Sequence, residues 1–71
     1  MGAEYNLSIF CVDSTIYGCI SWDKKQLKKF LLQYDHEGSV ISLVRSDMGP
    51  DGSVLTDLGG DPNLIYKELE P

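Results

Sequence analysis

Few residues of this 71-residue chain could do chemistry: two cysteines, a single histidine, an internal diglycine and a set of acids crowded into the second half. Cys11 and Cys19 lie in two apolar runs joined by a short turn. A bridge needs Cα atoms within about 7 Å. With an even loop one thiol faces the core and the other faces away, and with an odd loop the two are diagonal rather than opposite, so neither register pairs them. Cys11 is expected to be a small core residue and Cys19 a thiol on the second face. No C-x-x-C or nearby histidine pair supplies a zinc set. His36 falls beside Gly38 in the last turn of a predicted helix, where a partial positive charge is favourable, which explains it more simply than base catalysis does.

Spacing also excludes the metal and phosphate readings of the acidic half. Asp47-Met48-Gly49-Pro50-Asp51-Gly52 has the acids and the glycine of a calcium loop at positions one, five and six, but Gly49 at position three and Leu58 at position twelve remove the central and bidentate oxygens. Gly59-Gly60 lacks a following Lys-Ser/Thr and runs into Asp61-Pro62, whose carboxylate repels phosphate. Being internal, the diglycine does not resemble the conjugation tail of ubiquitin-like modifiers. The remaining carboxylates form no acid–base constellation, so the chain is expected to be no enzyme and to hold no metal or cofactor.

Charge is more informative. Residues 1–34 hold four lysines against three acids, whereas residues 35–71 hold eight acids against Arg45 and Lys67, and the net charge is -5. Such a surface repels nucleic acid and anionic membrane and attracts basic protein surfaces. Asp47, Asp51, Asp57 and Asp61 fall in or beside two loops, where with Glu68 and Glu70 they could form an acidic band for a partner. Solubility alone is a competing reason for acidic loops.

These residues need elements to carry them. The length allows one domain, residues 1–71, with room for one sheet and one packed helix. Tyr5 to Val12 and Thr15 to Trp22 read as a hairpin about Asp13-Ser14. A two-residue loop places Tyr5, Leu7, Ile9 and Cys11 on one face with Ile16, Gly18, Ile20 and Trp22, and sets Phe10 opposite Tyr17 on the other. That pair stabilises the sheet in its own right and is also a candidate contact platform. Asp23 and Gln26 form a capping box, Trp22 and Leu27 a hydrophobic staple, and Leu27, Phe30, Leu31 and Tyr34 a buried stripe, with Gly38 ending the helix. The stripe is expected to pack on Leu7, Ile9, Ile16 and Ile20.

Val40 to Arg45 is a third strand, joined through a long loop containing Gly49-Pro50-Asp51-Gly52 to a fourth, Val54 to Leu58. Asp61-Pro62 starts a short helix over 63–69. The expected fold class is therefore α+β: a small, mostly antiparallel four-stranded sheet (ββαββ) with one helix on one face and a short C-terminal helix. Order 2-1-3-4 is favoured over a β-grasp because Val40 to Arg45 is more apolar than Val54 to Leu58 and suits a central position.

No basic-then-apolar leader opens the chain, Asn6 stands where myristoylation at Gly2 would need Ser or Thr, and no apolar run approaches a membrane span, so a cytoplasmic location is expected. In size, acidity and lack of catalytic residues the chain is similar to the small acidic inhibitors of phages, including anti-CRISPR, anti-restriction and RNA polymerase inhibitor proteins. That likeness covers no specific motif. It implies a protein that occupies the basic, nucleic-acid-binding surface of a larger protein, and the chain is expected to be a monomer or homodimer. The alternative is an assembly or regulatory subunit that oligomerises through the Phe10/Tyr17 sheet face or a sheet edge.

Overall fold

Alternating apolar residues and turn signals resolve into six elements in the computed structural model, which describes residues 3–70. Met1, Gly2 and Pro71 lie outside the described residues, and with them the myristoylation site considered at Gly2. Strands β1 (Glu4–Phe10), β2 (Ile16–Ser21), β3 (Val40–Gly49) and β4 (Gly52–Asp57) and helices α1 (Lys24–Tyr34) and α2 (Pro62–Glu68) follow one another as ββαββα. The sheet is antiparallel throughout, in the order β2-β1-β3-β4. β3 is central, as its apolar content requires, and the β-grasp alternative does not occur.

The first hairpin corrects the expected register. Its loop has three residues, Val12-Asp13-Ser14, closed by the Cys11 N–H donating to the Thr15 carbonyl at 2.8 Å. The Asp13 carboxylate accepts from the Thr15 N–H at 3.0 Å, and Ser14 takes the left-handed conformation at φ 72° that such a loop needs. An odd loop shifts every pairing by one. Phe10 therefore faces Ile16, and Tyr17 faces Ile9. Ile16 and Ile20, expected in the core, are 63% and 65% exposed, while Tyr17 and Cys19 turn inward.

The core lies between the sheet and both helices. Tyr5, Leu7, Ile9, Ile41 and Leu43 from the sheet meet Leu27 and Leu31 of α1 and Ile65 and Leu69 of the α2 segment. Phe30 and Tyr34 pack at its margin, half-buried, and Tyr17 stacks on Tyr34 with ring centroids 4.3 Å apart. The aromatic partner of Tyr17 is thus Tyr34 rather than Phe10.

Local devices set the helix ends. Asp23 caps α1 by accepting from the Lys25 N–H at 2.9 Å. The expected capping box is replaced by a relay in which the Ser21 hydroxyl accepts from the Asp23 N–H and donates to Gln26 Oε1. The staple fails as well, because Trp22 turns to solvent. α1 stops at Asp35, and Gly38, at φ 86°, belongs to a separate turn in which the Ser39 N–H donates to the His36 carbonyl. His36 is accordingly exposed beyond the helix rather than in its last turn. α2 starts as expected, with Asp61 accepting from the Asn63 N–H and Pro62 in the first turn.

Where a long loop was expected, β3 and β4 continue to a two-residue turn, Pro50-Asp51, between the paired Gly49 and Gly52. Gly52 at φ 117° supplies a conformation that side chains disfavour. The result is a two-stranded arm. Val54 on its helix-facing side and Met48 and Leu55 on the other are all exposed, so the helices do not reach it.

Candidate partner-binding surface

Both helices cover the same side of the sheet and leave the other open. Directly opposed residues share a side, so the register fixes the composition of the open face row by row. At one end Ile16, Phe10 and Val40 stand side by side, followed by Gly18, Ser8 and Ser42, then by Ile20, Asn6, Val44 and Asp57. Beyond these come Glu4, Ser46 and Leu55, and finally Met48 and Ser53 on the arm. Phe10, Ile16, Ile20, Val40, Met48 and Leu55 are exposed. None of the chain's lysines or arginines lies on this face among the described residues.

The cations are all on the helix side. Lys24, Lys25, Lys28 and Lys29 belong to α1 and Lys67 to α2. Arg45, on the sheet face beneath the helices, is paired with Asp47 at 2.9 Å and with Glu68 at 3.0 Å. Among the described residues, unpaired lysine charge is therefore confined to the helix layer.

Trp22 stands at the arm end of the open side. It is 67% exposed, and its Nε1 donates to Glu4 Oε2 at 2.9 Å, which favours one orientation of the ring. A large exposed aromatic with a favoured orientation is the kind of group that carries binding energy at interfaces.

The six acids expected to form a band are dispersed. Asp47 and Glu68 gather around Arg45, where Glu68 also accepts from the Tyr5 hydroxyl at 2.7 Å. The Glu68 carboxyl is held below its ordinary range by the Tyr5 hydroxyl and by the Arg45 guanidinium, against the opposing effect of burial. Burial, and then the Glu68 carboxylate, push the Tyr5 hydroxyl up to about 12. Asp51 is exposed at the tip of the arm. Asp57 lies at the opposite end of β4, roughly 20 Å away at about 3.3 Å per residue, and accepts from the Gly59 N–H at 2.7 Å. Asp61 caps α2, and the exposed Glu70 follows that helix. Phe10 is on the open face, but Tyr17 is on the covered one. What the fold assembles is an apolar strip with acids at its margin, not an acidic band.

Two of these features escaped the sequence reading. The sequence places Trp22 in a staple, and the arm residues Met48 and Leu55 in a loop and an ordinary strand. The Asp13-x-Thr15 spacing, which favours an Asx turn, was the signal that could have shown the three-residue loop and with it the true open face.

A shallow pocket of about 360 Å³ beside the first hairpin loop is lined by Cys11, Tyr17 and His36, among others. No hydrogen bond joins the Cys11 thiol to the His36 ring among the described residues. Cys11 and Cys19 are both free and half-buried on the core side, which corrects the expectation that Cys19 lies on the second face. Among the described residues no group of three or more His, Cys, Asp and Glu side chains could hold a metal ion, and no helix is long and apolar enough to cross a membrane. Comparison with known proteins finds no matching family model, no matching curated protein and no matching solved structure.

Proposed function

We propose that the chain is a non-catalytic binding protein that docks its open sheet side on a larger protein with a basic surface. The observation that carries this reading is the cation-free open face, with exposed apolar residues along it and acids at its margin. Trp22, Leu55 and Met48 at the arm end supply apolar anchors, while Glu4, Asp51 and Asp57 supply negative charge. Acids at a rim accelerate encounter with a basic surface, and desolvated aromatic and aliphatic anchors slow departure. The lysines of α1 face away from such a partner.

A basic surface that exposes apolar residues is typical of proteins that hold single-stranded nucleic acid by stacking and charge. Occupying such a groove would make the chain an inhibitor, which is the reading its likeness to phage anti-host proteins also suggests. A cytoplasmic setting fits that role.

Binding kinetics against the protein recovered on the immobilised chain test the proposal. Asp51→Lys is expected to slow association several-fold, and Trp22→Ala to speed dissociation at least 10-fold, with both variants keeping the native fold. Lys25→Gln with Lys29→Gln is expected to change neither rate appreciably. Loss of binding in the lysine variant alone would place the contact on the helix side and refute the reading.

A further inference from the structure

The arm is incomplete as a sheet. β3 runs past its last pair with β1, Glu4 with Ser46, so Asp47, Met48 and Gly49 pair with β4 alone among the described residues. A two-stranded ribbon is marginal in water, and a third strand is what gives such a sheet stability of its own. The outer edge of β4 is open to one. The Leu58 N–H donates to the Leu43 carbonyl at 2.9 Å, and this sets the phase of the ladder. Gly52, Val54 and Thr56 turn their backbone groups toward β3, while Ser53, Leu55 and Asp57 turn theirs outward. No other backbone group takes up these outward N–H and carbonyl groups among the described residues.

Sheet edges are normally guarded by lysine, proline, a bulge or a covering helix. β4 has none of these. Its sequence, Gly-Ser-Val-Leu-Thr-Asp, carries no cation and no proline, its pairing with β3 is unbroken, and the helices do not reach the arm. We propose that β4 takes up an extended segment of the partner as a fifth strand, one with apolar residues at its centre and lysine or arginine toward its ends. This rests on the proposed docking to a basic protein and names what that protein brings to the arm end.

The register fixes the chemistry of that segment. Opposed residues share a side of the sheet, so the residue facing Leu55 lies on the open side and the one facing Val54 on the helix side. Leu55 is 69% exposed and Val54 60%, so an added strand covers apolar surface on both sides at once. The residue facing Asp57 meets an exposed carboxylate on the open side, and Asp51 is exposed beyond the other end of β4. Opposite charges at cross-strand positions are favourable and like charges are not, so cations belong toward the ends of the segment and acids are excluded. The other edge of the sheet, β2, is the poorer acceptor. Its sequence, Ile-Tyr-Gly-Cys-Ile-Ser, holds no carboxylate, and Gly18 near its middle gives an added strand no side chain to pack on. Charge and packing therefore both select β4.

Amide hydrogen exchange of the full chain, titrated with a synthetic probe, tests this. The probe is the end-blocked peptide Lys-Thr-Val-Ile-Thr-Lys, whose antiparallel register sets its first lysine opposite Asp57, its valine opposite Leu55 and its isoleucine opposite Val54. Exchange at Ser53, Leu55 and Asp57 is expected to slow about 10-fold at saturation, with Ile16, Gly18 and Ile20 unchanged. N-methylation of the probe's valine removes a main-chain donor that faces β4 and should weaken binding about 10-fold. Asp57→Asn keeps an acceptor for the Gly59 N–H and should weaken binding about 3-fold. The probe with glutamate in place of both lysines should not bind. No slowing at β4 with the probe at about 5 mM overturns the proposal. So does slowing at Ile16, Gly18 and Ile20 instead, or equal binding of the N-methylated probe. Protection of the β4 amides without probe that grows with protein concentration would put a second copy on the edge, and overturns it as well. Failure of the docking itself is read separately, because the effect of Trp22→Ala on dissociation does not depend on a strand being added at β4.

Discussion

At the scale of single residues, the best-connected group is the chain Tyr5–Glu68–Arg45–Asp47, which ties α2 to the sheet. It makes stability depend on pH at both extremes. Glu68 is held below its ordinary value of 4.5, so its contribution is present above that pH and is lost as pH falls through its lowered folded value. Tyr5 is raised from 10.0 to about 12, so its contribution holds below pH 10 and is lost between there and about 12. The thermal midpoint should therefore fall on acidification below about pH 4.5, and Glu68→Gln should flatten that limb. An unchanged acid limb in the variant would remove Glu68 from the account. Tyr5→Phe should cost about 1.5 kcal/mol at neutral pH, the low end for a hydrogen bond to a charged group, since Glu68 keeps Arg45. The thiols make a second residue-level test. Both should alkylate slowly in the native state, with no preference for Cys19, and the native mass should show two reduced cysteines.

At the scale of elements, the odd loop after β1 decides which side chains face the helices. Leu31→Ala removes a fully buried group and should cost about 2–5 kcal/mol in denaturant unfolding. Ile20→Ala, in contrast, should cost no more than about 0.5–1 kcal/mol, because that side chain faces solvent. Equal losses at the two positions would restore the two-residue loop. Ser14→Gly should leave stability unchanged or raise it, since glycine takes the left-handed conformation without a Cβ penalty. The strand order, the helix stripe and both helix starts were legible in the sequence because each rests on a local pattern several residues long. The register was not, since Asp13-Ser14 fits a two-residue loop by composition and a single extra residue inverts the whole of β2. The arm was missed for a related reason. Polar Ser46 and Asp47 read as a loop, although a two-stranded ribbon with both faces exposed has no need of apolar alternation.

At the scale of the whole molecule, the fold sorts charge and apolar surface that are interleaved along the chain. Lysines collect over the helices, Arg45 is neutralised from within, and the open side keeps apolar groups with acids at the margin. The acidity visible in the sequence does not mark a binding place by itself, because Asp47 and Glu68 are taken up by the ion pair with Arg45 and Asp61 by capping α2. The most direct measurement is site-specific photo-crosslinking to the partner recovered on the chain, with the crosslinker placed either at Leu55 on the open side or at Lys29 on the helix side. Docking through the open side predicts an adduct from position 55 and none from position 29. An adduct from position 29 with none from position 55 would contradict it.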